Sequence, residues 1–374
     1  MRINILQYLP KNTKIKVKKE DLDWIFRNNS VSGWGKELNI SLKNISRYIN
    51  GSRSLPIDII NKVLRKNDLN KIQGKVELKI EKSGNYLRLG PFIEIDEKWV
   101  YVGELIKGDG HIPSNFWSIQ FVNNNSALIK HVENFFINLG IKQSQISLIK
   151  REDASFLIIR SSVLAHIFNK ILEIPSGKKG ELNIPEFILL NKKLSIAAVR
   201  GAFDAEGSVT FTGSRRISIT SNSKKWLLDI KLILDKLRIE SRIFEDNFKK
   251  EKPIFRVLIY HRSNLKKFLD IIDPLHTKRK DKLKEILNNY TKNPQKEFHK
   301  KILISIKRGN FRRKEIADDI NQGLRLIGNN LNWLKKKDYI EPYEKIYTNK
   351  GSFHKYKVTL NGEEYIKNSL SFFD

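Results

Sequence analysis

Residues 102–112, VGELIKGDGHI, return as residues 199–209, VRGAFDAEGSV, and the correspondence runs well beyond the two segments. Asp109 aligns with Glu206 and Gly110 with Gly207 at a separation of 97 residues. Asn125 and Ser126 align with Asn222 and Ser223 at the same separation. Residues 139–141 align with 237–239 at 98, and 162–164 with 263–265 at 101. Loop insertions between tandem copies of one unit produce this slow drift. In each copy an apolar helix ends in acid–Gly, and a two-strand stretch follows (112–122; 208–221). Next come an amphipathic helix (127–139; 224–237), two alternating strands and a closing helix (163–172; 264–271). The expected order, αββαββα twice, is an α+β fold whose helices cover one face of each antiparallel sheet. The other face is then left for solvent or a ligand.

The chain of 374 residues has room for further domains around this pair, and it carries a formal net charge of +29. With aromatics at 10% it is not a disordered basic tail, so the excess charge points to a polyanion, with nucleic acid the leading partner. No cysteine is present, which excludes disulfide scaffolds, cysteine-ligated zinc, iron–sulfur clusters and thiol nucleophiles. No stretch reaches the roughly 20 apolar residues of a membrane-spanning helix, and residues 1–10 do not read as a signal peptide. The expectation is a cytoplasmic protein with no membrane partner.

Residues 1–72 read as short helices, with a helix–turn–helix at 33–51, GWGKELNISLKNISRYING. Trp34 and Leu38 share one helix face, and Ser41 is placed to cap a second helix whose apolar side is Leu42, Ile45 and Ile49. Its polar face, Lys43, Asn44 and Arg47, suits a major groove. Residues 73–96 read as a hairpin linker, with its turn at 83–85. The repeats then occupy 97–195 and 196–292. Residues 293–374 read as three helices followed by a two-stranded wing turning at 349–351, a winged helix. Arg325, Asn329, Asn330, Asn332 and Lys335 lie on the polar side of its third helix.

A carboxylate at a helix C-terminus faces the negative end of the macrodipole, at about 0.3–1 kcal/mol. Both repeats place one there. Gly201 and Ala205, four apart, allow close approach of a partner helix, which would bring Asp109 and Glu206 side by side. Paired carboxylates repel unless a cation lies between them, and oxygen-only donors favour Mg²⁺, with Mn²⁺ as the alternative. Such ions drive phosphodiester hydrolysis.

At these residues the chain resembles the LAGLIDADG homing endonucleases of the two-motif, monomeric type. Gly201, Ala205, Glu206 and Gly207 fall on the family's small, small, acidic and glycine positions. Residues 174–191, IPSGKKGELNIPEFILLN, resemble the stretch before the family's second motif, and 275–283, LHTKRKDKL, the basic end of its second unit. The resemblance implies two pseudo-symmetric units forming a saddle over double-stranded DNA and cutting both strands. It places Asp109 and Glu206 as metal ligands and catalytic acids, and Lys178, Lys179, Lys278 and Lys280 as basic residues near the centres. Alternate positions on the sheets are expected to meet DNA. These are Ser114, Asn115, Trp117, Ser118 and Gln120 in the first unit, and Thr210, Thr212, Arg215, Arg216, Ser218 and Thr220 in the second.

The first motif departs from the family at Glu104, where a small residue is usual. Burying that charge at a tight crossing is expensive, so the expectation is either that Gly103 makes the crossing instead or that Glu104 reaches the rim. His111 reads as a surface or DNA-contacting residue. Two other functions suit the same fold and charge: a DNA-binding transcription regulator that does not cut, and an RNA maturase. The absence of a Cys or Ser at position 1 and of a terminal His-Asn reads against protein splicing.

Overall fold

The computed structural model describes residues 1–64, 76–80, 87–178, 180–210, 215–246, 253–288, 295–348 and 351–367. Lys179, Thr212, the 83–85 turn and residues 349–350 of the wing turn lie outside the described residues. The chain divides into two compact units. The first comprises Met1–Ser208, Ser218–Ile259 and Lys267–Lys280, and the second Val209–Ile217, Tyr260–Lys266 and Asp281–Asp374.

The first unit opens with β1 (Arg2–Asn4), β2 (Thr13–Lys16), α1 (Lys19–Phe26), α2 (Val31–Leu38) and α3 (Leu42–Ile49). These lead to β3 (Leu55–Pro56), α4 (Ile57–Val63), β4 (Val76–Ile80), β5 (Leu87–Leu89) and β6 (Phe92–Glu94). The N-terminal region is therefore not purely helical, and residues 73–96 are not a separate linker. Strands run β3-β2-β4-β5 in one sheet, with Thr13 opposite Ile80 and Lys16 opposite Glu77, while β1 pairs with β6. An isolated hairpin cannot bury its apolar face. Val76, Leu78, Leu87 and Leu89 are buried in a sheet that also takes in β2, whose Ile15 stands opposite Leu78.

Helix α2 starts at Ser30, whose Oγ accepts from the Gly33 N–H at 3.0 Å, and ends at Asn39 in the left-handed region (φ 55°). In α3 the buried side is Ile45 and Tyr48, whereas Leu42 is exposed, so the expected apolar stripe is rotated. Ser41 occupies the N-cap position without a side-chain capping bond. Lys43 and Arg47 are exposed, and Asn44 Oδ1 accepts from Arg53 Nη1 at 2.8 Å.

The order αββαββα then occurs twice. Its first copy is α5 (Glu97–Asp109), β7 (Gly110–His111), β8 (Ile119–Asn123), α6 (Ser126–Asn138), β9 (Ile146–Lys150), β10 (Ser155–Ile159) and α7 (Ser162–Ile171). After α8 (Glu186–Leu190) comes the second: α9 (Lys192–Glu206), β11 (Gly207–Thr210), β12 (Arg216–Ser221), α10 (Lys224–Lys236), β13 (Ser241–Asp246), β14 (Ile254–Ile259) and α11 (Arg262–Ile272). Strand order is β7-β8-β10-β9 in one sheet and β11-β12-β14-β13 in the other, the same path twice. Asn125 caps α6 by accepting from the Ala127 and Leu128 N–H groups, and Ser223 caps α10 by accepting from that of Trp226. The equivalent pair is thus Asn125 and Ser223, one residue off the alignment read from sequence. Asn222 has no capping role there.

The expected strand at 112–122 is shorter than its sequence suggests. Residues 112–118 form a connection containing Pro113 and a left-handed Phe116 (φ 56°), whose ring stacks on His166 at 4.3 Å. Ser114, Asn115 and Trp117 therefore sit on a loop.

Helix α12 (Thr277–Asn288) leads to α13 (Gln295–Lys307), α14 (Arg313–Asp319) and α15 (Leu324–Lys336), then β15 (Ile340–Thr348), β16 (Gly351–Val358) and α16 (Leu360–Lys367). Ile302, Leu303, Ile306, Ile316, Ile327, Leu331, Leu334 and Ile340 form one core. Arg325, Asn329, Asn332 and Lys335 are exposed on α15. Asn330 is not a free polar position. Its Oδ1 accepts from His299 Nε2 at 2.8 Å, and the His299 ring stacks on Trp333.

Candidate functional site

Helices α5 and α9 are capped by Asp96 and Asn191 and pack along their length. Glycine sets the distance. A Cβ on Gly201 would lie 2.6 Å from the Tyr101 carbonyl oxygen and 2.8 Å from Glu104 Cβ, and one on Gly108 would lie 2.5 Å from Ala205 Cβ. Gly103, by contrast, faces Leu172. An alanine at an ordinary helix position gains about 0.5–1 kcal/mol over glycine. Gly201→Ala is expected instead to destabilise by about 1–3 kcal/mol through overpacking against backbone, as urea unfolding will measure.

The crossing brings the ends of the helices together. A Cβ on Gly108 would be 3.1 Å from Glu206 Cγ and 3.6 Å from its Oε1, and Asp109 is the next residue. Both carboxylates are half-buried. Asp109 Oδ2 accepts from Asn123 Nδ2 at 2.7 Å, and Asn123 Oδ1 in turn accepts from the Asn125 N–H at 2.8 Å.

The Arg279 guanidinium closes the end of α9. It donates to the carbonyls of Phe203 at 2.8 Å, Asp204 at 2.5 Å and Ala205 at 3.1 Å. It thereby supplies positive charge at the negative end of the helix dipole. Burial pushes its pKa down, while Asp204, Asp109 and Glu206 pull it back up. Asp204, fully buried, accepts from Tyr101 Oη at 2.9 Å and from the N–H groups of Leu275 (2.8 Å) and His276 (3.2 Å). Burial raises its pKa and these bonds oppose the rise. Asp204 thus anchors the segment that carries Arg279. Sequence alone does not single out Asp204, because the repeat marks the acid before glycine, nor Arg279, because it stands between Lys278 and Lys280 in a basic run. The signal available was the one arginine in that run, the side chain suited to several carbonyls at once.

The described lysine candidates flank this arrangement in sequence or stand on the surface. Lys280 pairs with Asp273 at 2.5 Å, and Lys278 is exposed. Lys178 is exposed on a segment held by the Gly177 N–H donating to the Ile112 carbonyl at 2.7 Å.

Glu104 meets neither expectation. It stays at the crossing, only 1% exposed, with Lys107 Nζ at 2.6 Å and Trp226 Nε1 donating at 2.7 Å. Lys107 also donates to the Asn183 carbonyl at 2.7 Å. Burial pushes the Glu104 pKa up, and Lys107 and Trp226 pull it down. The compensating partners are three residues away on α5 and on α10 of the other repeat. Lys107 and Glu206, with Ser221, Asn222 and Lys224, line a cleft of about 650 Å³.

Among the DNA-contact candidates, Gln120 and Thr210 are half-buried strand residues, and Arg215 and Arg216 are half-buried at the start of β12. Trp117 is 64% exposed on its loop. Ser118 and Ser218 are buried, and Ser218 Oγ is 2.8 Å from Ser208 Oγ, so neither offers a free hydroxyl on the surface. His111 stands opposite Gln120 in the ladder.

His276 supports the same segment, accepting at Nδ1 from the Arg279 N–H at 3.4 Å. Burial, with the Arg279 and Lys278 charges, pushes its pKa down to about 4, against about 6.5 in an unfolded chain. The fold therefore favours neutral imidazole. That stability is complete above about pH 6.5 and is lost as pH falls toward 4. His276→Asn keeps the cap and removes the titration. Urea unfolding between pH 7 and 4 is expected to weaken wild type more steeply than the variant.

Among the described residues no group of three or more His, Cys, Asp or Glu forms a metal cage. Two carboxylates suit Mg²⁺ nonetheless, because it retains waters and binds through one or two carboxylates together with substrate phosphate.

Residues 193–273 match the family model of the LAGLIDADG-like domain. That span runs from α9, with Glu206, through α11. A probable translation initiation factor IF-2 of Methanocaldococcus jannaschii is 25% identical over 197 residues, covering 51% of this chain and 16% of that protein. Among solved structures, the homing endonuclease I-DmoI superposes with a TM-score of 0.37 at 20% identity, covering 47% of this chain and 96% of that one. Full-length DUF199/WhiA from Thermatoga maritima gives a TM-score of 0.38 at 14% identity, covering 66% and 93%. No helix among the described residues is long and apolar enough to cross a membrane.

Proposed function

We propose that this chain is a metal-dependent endonuclease of the homing type, cutting both strands of double-stranded DNA as a monomer. In this reading residues 97–292 are two LAGLIDADG units forming a saddle. The helix pair α2–α3 is a helix–turn–helix, and residues 293–374 are a winged helix that adds phosphate contacts. The observation that supports it is the meeting of two duplicated, closely packed helices at their acidic ends, with Glu206 against Gly108, the residue before Asp109. The LAGLIDADG-like match over α9 supports it.

Asp109 and Glu206 would hold the cation, Mg²⁺ or Mn²⁺. When bound, it supplies a lowered water pKa and stabilisation of the leaving oxygen. The chain's own residues do the rest. Asn123 orients the Asp109 carboxylate through its 2.7 Å bond. Arg279 ties down the last carbonyls of α9, so Glu206 follows a fixed backbone, and Asp204 holds Arg279 in place through the backbone of residues 275 and 276.

One observation favours a second reading, a DNA-binding protein that does not cut: Arg279 already supplies positive charge to both carboxylates. Incubating the full chain with a randomised duplex library, in Mg²⁺ and in chelator, separates the two. Mg²⁺-dependent ends at a selected site support the nuclease. Selective binding without ends supports the second reading, and the absence of both removes DNA as the substrate.

A further inference from the structure

The two sheets do not present the same chemistry on their uncovered faces. Helix α6 packs on β8 and β10, and α10 on β13 and β14. Ile119, Phe121, Leu157 and Ile159 point to the helix side of the first sheet and are almost inaccessible. Alternation places their neighbours on the opposite face. There Phe156 stands opposite Val122 on one side and Ile149 on the other, giving an apolar row across three strands. Val122 and Phe156 are half-buried and Ile149 is 46% exposed. Lys150, Arg151 and Arg160 are exposed at the rim, with the Arg151 guanidinium 4.5 Å from the Phe156 ring centroid. In the second sheet Phe255, Val257 and Ile259 take the helix side. The opposite face carries Arg256 and the buried Leu258, paired across the ladder with the exposed Phe244 and Arg242, so here two arginines stand among apolar side chains where the first sheet has none.

An apolar floor with a cationic rim fits a duplex better than it fits open solvent, since the rim meets phosphates while the floor meets the apolar group of the major groove. That group is the C5 methyl of thymine, whereas Arg reads guanine O6 and N7. We propose that the first repeat reads its half-site through thymine methyl contacts with Val122, Ile149 and Phe156, and the second through arginine contacts from Arg242 and Arg256. The target is then asymmetric, thymine-rich under the first sheet and guanine-containing under the second. This rests on the double-stranded DNA reading above.

The test selects binding sites for the full chain from a randomised duplex pool at fixed salt in chelator, then replaces the thymines of one half-site with deoxyuridine, which removes only the methyls. The expected result is one thymine-rich half-site in which affinity falls about fourfold per methyl removed. Val122→Ser with Ile149→Ser, checked for an unchanged melting temperature, is expected to bind more weakly and to lose the deoxyuridine effect. Selective binding with no deoxyuridine effect, or unchanged affinity in the double variant, overturns the proposal and leaves the DNA reading standing. No selective duplex binding at all overturns both. The deoxyuridine arm uses the unaltered protein, so a variant that fails to fold does not remove the test.

Discussion

Asp109→Asn and Glu206→Gln are each expected to lower duplex cleavage by on the order of 10³-fold or more while leaving duplex affinity within a few-fold. Both substitutions keep the side-chain shape, and the new amide at position 109 can still accept from Asn123. Only the anionic charge is lost, and with it the hard ligand on which a divalent cation depends. In the proposed function phosphate and base contacts are made by other residues, so binding should persist. Stability gives a readout independent of activity. A ligand that binds only the folded chain raises the melting temperature by mass action, so Mg²⁺ should stabilise wild type and have little effect on either variant. Full cutting by both single variants would sink the assignment of these two acids.

The second large effect concerns folding. Lys107→Met leaves the Glu104 carboxylate buried with Trp226 as its remaining donor at the crossing, and breaking a buried pair by one member costs about 3–5 kcal/mol. The loss has a pH signature. Burial already pushes the Glu104 pKa up, and removing Lys107 removes the main force holding it down. A carboxyl whose folded pKa lies above its unfolded value favours the folded state at low pH, an advantage lost as pH rises through the folded pKa. The variant should therefore unfold in less urea at pH 8 than at pH 5. Glu104→Gln combined with Lys107→Met should recover much of the loss, because no buried charge is left unpaired. A single Lys107→Met variant as stable as wild type at pH 8 would mean that the carboxylate finds water.

The legible parts of the fold are those carried by local period and by duplication. The two αββαββα copies, the acid at the end of each motif helix and the three helices and ribbon of residues 295–358 all follow from hydrophobic spacing within one segment. The illegible parts depend on partners distant in sequence. Strand β2 has four residues, too few for a periodic signal, and becomes a strand because β4 needs a neighbour. Whether Gln120 or Ile119 faces the helices is a one-residue question that pairing decides, since a one-residue slip reverses every side chain.

The repeat was enough to determine a duplicated α+β core and two acids at matching helix ends, and the net charge of +29 set the expectation of a polyanionic partner. Only the tertiary structure decided how those acids are supported. Glu104 is tolerated because Trp226, 122 residues away, donates to it, and the end of α9 is closed by Arg279, 73 residues beyond Glu206. Spacing along a helix reports which residues share a face. It carries no information on which distant donor will reach that face, because that is set by packing between elements.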